Sequence, residues 1–425
     1  MRKSLVFLLS IFVCTLAPLA ATAQSEQNAQ SDTVISQPSS NTESIGSTST
    51  ALSATDIVGQ ISAARRLLSS RQTSSGDLVT VAAFDPETSQ TSMFSLLKTE
   101  FLVKDSNLSA TSQAGRTLRV HVVRANGVNT AMTVTDESTG RSLVPLMVQF
   151  PIVKGGAVSE LAYYTSAHPA LLSPSLTTAG QTYVRKMLDA AATRLAQDGV
   201  TINPDIVDIA EHLCIVEHTD HKRFMNEDHT VLFPEILSLY ALNEGNTFRY
   251  SVSTAGAGGM IQMIPQTYNA IRQQHPGVSL QADFVSGMRD HANALEAMLL
   301  YMNDTWNKLQ QSTEVQDALR NGIATKPELL AAGYNSNPLR LANYLKNGGA
   351  GWRTLIPAET QIYLKIYGAI DSTLDLGSAA SRIEDVSNNA QVAVAISTPS
   401  RAVAMLSWLS RSLPIGGSFL ERFLN

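Results

Sequence analysis

The 425-residue chain carries two cysteines, three tryptophans, 6% aromatic residues and no excess of positive charge. Each scarcity excludes something. Cys14 lies inside the first apolar run, so Cys214 alone would remain after processing and no internal disulfide could form. A formal net charge of −5 argues against a nucleic-acid partner, which calls for a basic patch or stripe. A phosphate-cradling loop is missing as well. Gly256, Gly258 and Gly259 are followed by Met260, Ile261 and Gln262, which fits neither G-x-G-x-x-G nor a loop ending in Gly-Lys-Ser/Thr. The apolar run over 5–17 falls short of the about 20 residues that span a bilayer. What is present, 44% hydrophobic residues over this length, suffices for two or more packed cores.

The N-terminus reads as an export signal over 1–23. Arg2 and Lys3 precede the apolar run, and Ala21-Thr22-Ala23 offers a small-x-small cleavage site before Gln24. The expected location is the periplasm or the cell wall. Residues 24–54, rich in Ser, Thr, Gln and Asn, cannot bury enough apolar surface to offset ordering entropy and read as a disordered linker. A β-containing N-terminal domain is expected over 55–160, opening with a helix over 55–69. Strands are expected at 78–84, 117–124, 130–136 and 142–150, where β-branched residues concentrate, with a tight hairpin at Asn126-Gly127. No surface cluster in this region converts into chemistry, and its partner is not legible.

Helical periodicity takes over afterwards. A connecting region over 161–230 holds helices at 178–197 and from Asn203-Pro204 to near Glu217. His212, Cys214, His218 and His221 crowd together there, but a zinc site wants paired ligands at tight spacings and no second cysteine exists. The histidines read as solvated residues at a helix end, together with Glu217 and Asp220. No metal or cofactor is expected. Residues 232–244 are apolar on most of their circumference and predict a buried helix, with Pro234 in its first turn and Glu235 near the positive end of its dipole. Longer helices are expected over 283–309 and 357–370. A C-terminal tail over 373–425 contains an amphipathic stretch at 401–413, which would dock on the protein or lie on a membrane surface.

Glu244 closes the apolar run. Burial and the negative end of the helix dipole both disfavour its ionised form, moving its pKa from about 4.3 towards 6 or 7 and suiting it to general acid work. Counting from it, Ser253 is nine residues on, Gly256 twelve, Ala257 thirteen, Gly259 fifteen, Gln262 eighteen and Pro265 twenty-one. Ala331-Ala332-Gly333-Tyr334-Asn335-Ser336-Asn337-Pro338 and Pro357-Ala358-Glu359-Thr360-Gln361-Ile362-Tyr363 follow.

These three blocks, in this order, resemble the soluble lytic transglycosylase family with its goose-lysozyme-like catalytic domain. The resemblance covers 231–372. It implies an α+β protein whose mainly helical, lysozyme-like domain cleaves the β-1,4 bond between N-acetylmuramic acid and N-acetylglucosamine in peptidoglycan glycan strands. One glutamate would protonate the glycosidic oxygen and then act as base for attack by the sugar's 6-hydroxyl, leaving a 1,6-anhydro end. Glu244 would be that acid. Ser253 and Gln262 would line the substrate groove, Tyr334 would orient the acid or the substrate, and Asn335 would support the site. Glu359 and Tyr363 read as structural, and the glycines as clearance for a sugar chain. The sequence departs from the family pattern at Gly245, where serine is usual, at Thr247, where an aromatic is usual, and at Gly333, Ser336 and Asn337 in the tyrosine block. Two other readings stay open. A lysozyme-type hydrolase would need a second carboxylate, for which Asp283 and Glu296 are available. A catalytically weak glycan-binding module of an envelope assembly would fit the missing serine.

Overall fold

The computed structural model describes residues 54–377, apart from 71–74, 167 and 254. The expected signal segment, nearly all of the linker and the amphipathic stretch at 401–413 lie outside the described residues. The protein is a mixed α+β structure. Among the described residues no helix is long and apolar enough to cross a membrane.

Helix α1 (Ala54–Ser69) leads into strands β1 (Leu78–Asp85) and β2 (Gln90–Leu97), the short helix α2 (Lys98–Phe101), and strands β3 (Asn107–Thr111), β4 (Thr117–Arg124), β5 (Ala131–Asp136), β6 (Ser142–Lys154) and β7 (Ala157–Tyr164). All pairings are antiparallel, in the order β2-β1-β6-β5-β4-β3, with β7 on β6. The four expected strands are present. β2, β3 and β7 were not legible, because polar residues such as Gln90, Ser92, Asn107 and Ser159 interrupt their β-branched composition. The Asn126-Gly127 connection joins two paired strands as expected, but through a 3-10 turn over Gly127–Asn129 instead of a two-residue turn. The sheet curls. Gln113 donates its backbone N–H to Met93 O at 3.0 Å and Arg116 reaches Ser92 Oγ at 2.8 Å, which draws the β3–β4 hairpin towards β2.

One face of the curled sheet carries α1, whose Ile57, Ile61, Ala64 and Leu68 pack on Ala82, Phe84, Met93 and Leu146. This i, i+4, i+7, i+11 stripe is what an amphipathic helix presents to a sheet. The other face, including Val120, Val134, Phe150 and Tyr164, joins the helices in one continuous core.

The helices are α3 (Pro174–Gln197), α4 (Pro204–Val216), α5 (His221–Asn226), α6 (His229–Asn243), α7 (Pro265–Gln274), α8 (Phe284–Arg289), α9 (His291–Leu309), α10 (Thr313–Arg320), α11 (Lys326–Asn335), α12 (Leu341–Gly348) and α13 (Ala358–Thr373). Their starts follow local chemistry. Asn203 caps α4 with Pro204 at its first position, and Thr325 with Glu328 forms a capping box on α11. The expected stretch over 283–309 is broken at Asp290, whose carboxylate caps α9 by accepting the Ala292 and Asn293 N–H groups. α6 is buried on nearly every side, as its composition predicts. It begins earlier than expected, capped by Asp228, so Pro234 stands inside the helix and not in its first turn. Glu235 therefore serves no dipole. Burial alone would raise its pKa, but Arg223 at 2.7 Å and Arg124 at 3.1 Å hold its carboxyl below the usual range. α3 crosses α6 at Gly180, where any Cβ would collide with the Leu237 carbonyl.

Candidate functional site

A cleft of about 880 Å³ opens among the helices. Its walls come from the end of α4, the loop over 247–264, α7, one stripe of α9 and the α11–α12 connection, with the start of α13 at its edge. The α9 stripe is Tyr301, Asp304, Thr305, Lys308 and Leu309, the i, i+3, i+4, i+7 spacing of one helix face. Of the expected substrate-binding residues, Ser253, Gln262, Tyr334 and Asn335 all line this cleft. Glu244 does not.

Three carboxylates line the cleft, Glu217, Asp304 and Glu359, and the one with the strongly raised pKa is Glu217. It is the residue just past the last turn of α4, behind the apolar run Leu213-Cys214-Ile215-Val216. Burial pushes its pKa up to about 8, and the nearby Glu359 charge adds to the rise. Tyr363 acts in the opposite direction, donating its hydroxyl to Glu217 Oε1 at 2.6 Å. A carboxyl with this environment holds its proton at neutral pH in a concave site, which is the condition for a general acid.

The neighbouring residues are committed in specific ways. Tyr334 donates its hydroxyl to Ile261 O at 2.8 Å and packs edge-on against Tyr301, so it braces the loop; it does not touch Glu244. Asn335 accepts from Thr360 Oγ1 at 2.8 Å through its Oδ1. Ser253 Oγ accepts the Ala257 N–H at 3.1 Å, and Gln262 donates its amide to Gly259 O at 2.7 Å. Gln262 holds φ at +45°, a left-handed conformation that costs about 1–3 kcal/mol in a residue with a side chain and concentrates at functional sites.

Glu244 stands elsewhere. It follows the last residue of α6 with φ at +43°, and its charge acts on Tyr183 of α3. Tyr183 is hydrogen-bonded to His291 Nδ1 at 2.9 Å, and His291 Nε2 donates to Thr247 O at 2.7 Å. Gly245 is exposed, and a Cβ there would meet only the Tyr183 hydroxyl, at 3.9 Å. The missing serine thus lies away from the cleft.

The histidine-rich stretch is also corrected. His212 is buried, stacked on Tyr367 and bonded to Asp371 at 2.7 Å. His218 lies flat on Phe248 and donates Nε2–H to Met260 O at 2.9 Å. Burial pushes its pKa down to about 3, so it is a neutral donor. Cys214 is fully buried, and the Tyr240 hydroxyl donates to its carbonyl at 3.0 Å. These side chains face protein because α4 is enclosed between α3, α6 and α13, which the sequence of α4 alone does not reveal. Among the described residues no three His, Cys, Asp or Glu side chains are grouped to hold a metal.

The glycines have a different use from the one expected. A Cβ on Gly259 (φ +70°) would collide with the Met288 carbonyl of α8, and one on Gly258 would touch Met288 and Phe284. They allow the loop to lie against α8. The small residues that do line the cleft from this loop are Ala255 and Ala257. Of the carboxylates considered for a hydrolase, Asp283 caps α8 by accepting the Ser286 N–H and Glu296 pairs with Arg194; neither lines the cleft. Glu359 does, as does Asp304, which is bonded to His275 at 2.8 Å.

No family model matches the sequence, and no curated protein matches it significantly.

Proposed function

We propose that the protein is a peptidoglycan lytic transglycosylase whose single acid/base is Glu217. The observation that carries this reading is the Glu217 carboxyl, hydrogen-bonded by Tyr363 at 2.6 Å, in the cleft that Ser253, Gln262, Tyr334 and Asn335 also line, where burial raises its pKa. A glutamate at a buried helix end, facing a groove between helices, is also what a lysozyme-like arrangement presents. The protonated carboxyl donates to the glycosidic oxygen as the bond to the muramic acid C1 breaks. The resulting carboxylate takes the proton of the sugar's own 6-hydroxyl as that oxygen closes on C1. Glu217 is thereby reprotonated, and a 1,6-anhydro end results. No water is consumed and no second carboxylate is required, in keeping with the substrate-assisted exceptions to two-carboxylate glycosidases. The export pattern at the N-terminus fits a wall substrate.

The block spacing that singled out Glu244 measures from the wrong helix end under this reading. α5 and α6 form an insertion between the acid and the Ser253 block, and Tyr363 belongs to the working site. The lysozyme-type alternative keeps one observation in its favour, the presence of Glu359 in the same cleft. Digestion of purified sacculi with the exported form, followed by mass analysis of the released fragments, decides between them. Anhydro ends are expected; reducing ends would replace the transglycosylase with a hydrolase, and binding without release would reduce the protein to a glycan-binding module.

A further inference from the structure

The loop over 247–263 supplies Ser253, Ala257 and Gln262 to the cleft, and it is held at two points. At its far end the catalytic helices grip it: His218 donates to Met260 O and Tyr334 to Ile261 O. At its near end the grip comes from the sheet. Glu160 of β7 accepts the Tyr250 hydroxyl at 2.5 Å and lies 3.4 Å from Arg289 Nη1 and 3.5 Å from Arg249 Nη2. The same two guanidinium groups flank the Tyr250 ring, at 4.9 Å and 5.7 Å from its centroid. One residue further on, Asn129, in the turn between β4 and β5, donates to Ser251 Oγ at 3.2 Å. Ser251 O in turn accepts the Gly259 N–H at 3.0 Å, closing the base of the loop from which Ser253 projects.

Strand alternation explains the placement of Glu160. It shares a side of β7 with Ala162 and Tyr164, which enter the core shared with the helices. A carboxylate on that side is tolerated only when paired and hydrogen-bonded. Its partners reach it from the loop (Arg249, Tyr250) and from α8 (Arg289), so the loop lies between sheet and helix with its base latched to both. Gly258 and Gly259 let the loop press against α8.

We propose that the N-terminal sheet is a working wall of the glycan cleft, with Glu160 as a positioning residue that latches the substrate loop and so sets the placement of Ser253 and Gln262 on the sugar chain. The proposal rests on the glycan-cleaving reading of the cleft and gives the sheet its part in that reading. It separates binding from chemistry. Glu217, just past α4, and Tyr363, on α13, make no contact with Glu160, Tyr250, Arg249 or Arg289, so loosening the base of the loop weakens substrate placement and leaves proton transfer alone.

The test uses the full exported chain with Glu160→Gln, Tyr250→Phe and, as a sheet control away from the loop, Arg119→Ala. Two readouts are taken: steady-state kinetics on soluble glycan strands, and amide hydrogen exchange over 250–263. Glu160→Gln is expected to raise KM roughly five- to tenfold with kcat within twofold, and to speed exchange in the loop while the amides of α4 and α13 keep wild-type rates. Tyr250→Phe should do the same more weakly, and Arg119→Ala should do neither. Wild-type KM with wild-type loop exchange in Glu160→Gln would overturn the proposal. So would equal losses in kcat and kcat/KM accompanied by faster exchange throughout the core, since that describes a general structural role. A wild-type protein that leaves glycan strands intact would instead overturn the enzymatic reading, and the exchange data would still decide whether the sheet latches the loop.

Discussion

Glu217 and Glu244 each stand just past a buried helix, behind an apolar run. Locally they are near twins. The difference is where the two helix ends open. α4 delivers Glu217 to the floor of a cleft beside Tyr363, whereas α6 delivers Glu244 to the Tyr183–His291 cluster at its contact with α3 and α9. A reactive protonation state can be prepared at any buried helix end, but it does chemistry only where a substrate can reach it.

That contrast can be broken most directly by mutation. Glu217→Gln should lower glycan-strand cleavage by roughly 10²–10⁴-fold, the usual contribution of a general acid, with bound substrate still detectable on the inactive protein. Retained activity in that variant would remove Glu217 from the mechanism. Tyr363→Phe should cost roughly tenfold, the equivalent of one hydrogen bond to a charged group at about 1.5 kcal/mol. It should also move the alkaline limb of the pH–rate profile upward, because the lost hydrogen bond favours the ionised carboxylate. An unmoved limb would leave Tyr363 a packing role only.

The pH dependence sharpens the comparison further. Activity should fall as pH rises through about 8, where Glu217 loses its proton. Stability follows the same group. The folded protein binds this proton more tightly than the unfolded chain, so its contribution is fully present below the ordinary carboxylate value of 4.5 and is lost as pH rises towards 8. Glu217→Gln should therefore melt higher than the wild type at pH 8 and lose that advantage at pH 4, as thermal denaturation at the two pH values would record. The smallest effects belong to the other helix end. Glu244→Gln and Gly245→Ser should each leave cleavage within about twofold, since neither residue lines the cleft and the glycine site has room for a side chain. A large loss in Glu244→Gln would reverse the assignment of the two glutamates.

Much of the scaffold was legible. The helix entry at Asn203-Pro204, the helix opening the described residues, the all-round burial of α6 and the four strands rich in β-branched residues are local statements, and each appears where the chemistry of its residues puts it. Ser253, Gln262, Tyr334 and Asn335, named together from one resemblance, line one cleft, while Glu244, named with them, does not. The sheet's part was not legible. Glu160, Tyr250 and Arg289 are far apart in the chain, and none of them has a neighbour in sequence that signals the latch. The reading of His212 and His218 as solvated fails because the groups that cover them, Tyr367 and Asp371 for the first and Phe248 and Met260 for the second, come later in the chain.

The sequence by itself determined the strands rich in β-branched residues, the longer periodic helices, the helix entry at Asn203-Pro204, and that a glutamate behind an apolar run would be a candidate acid. Those are consequences of propensity, periodicity and burial within a single element. Only the tertiary structure decided which glutamate faces the cleft, that Tyr363 touches it, and that the glycines clear a helix and not a sugar. The reason is geometric. Spacing along the chain counts residues, while access to a cleft depends on how separately encoded elements pack, and α6 carries its terminal glutamate to a helix end that opens away from the cleft.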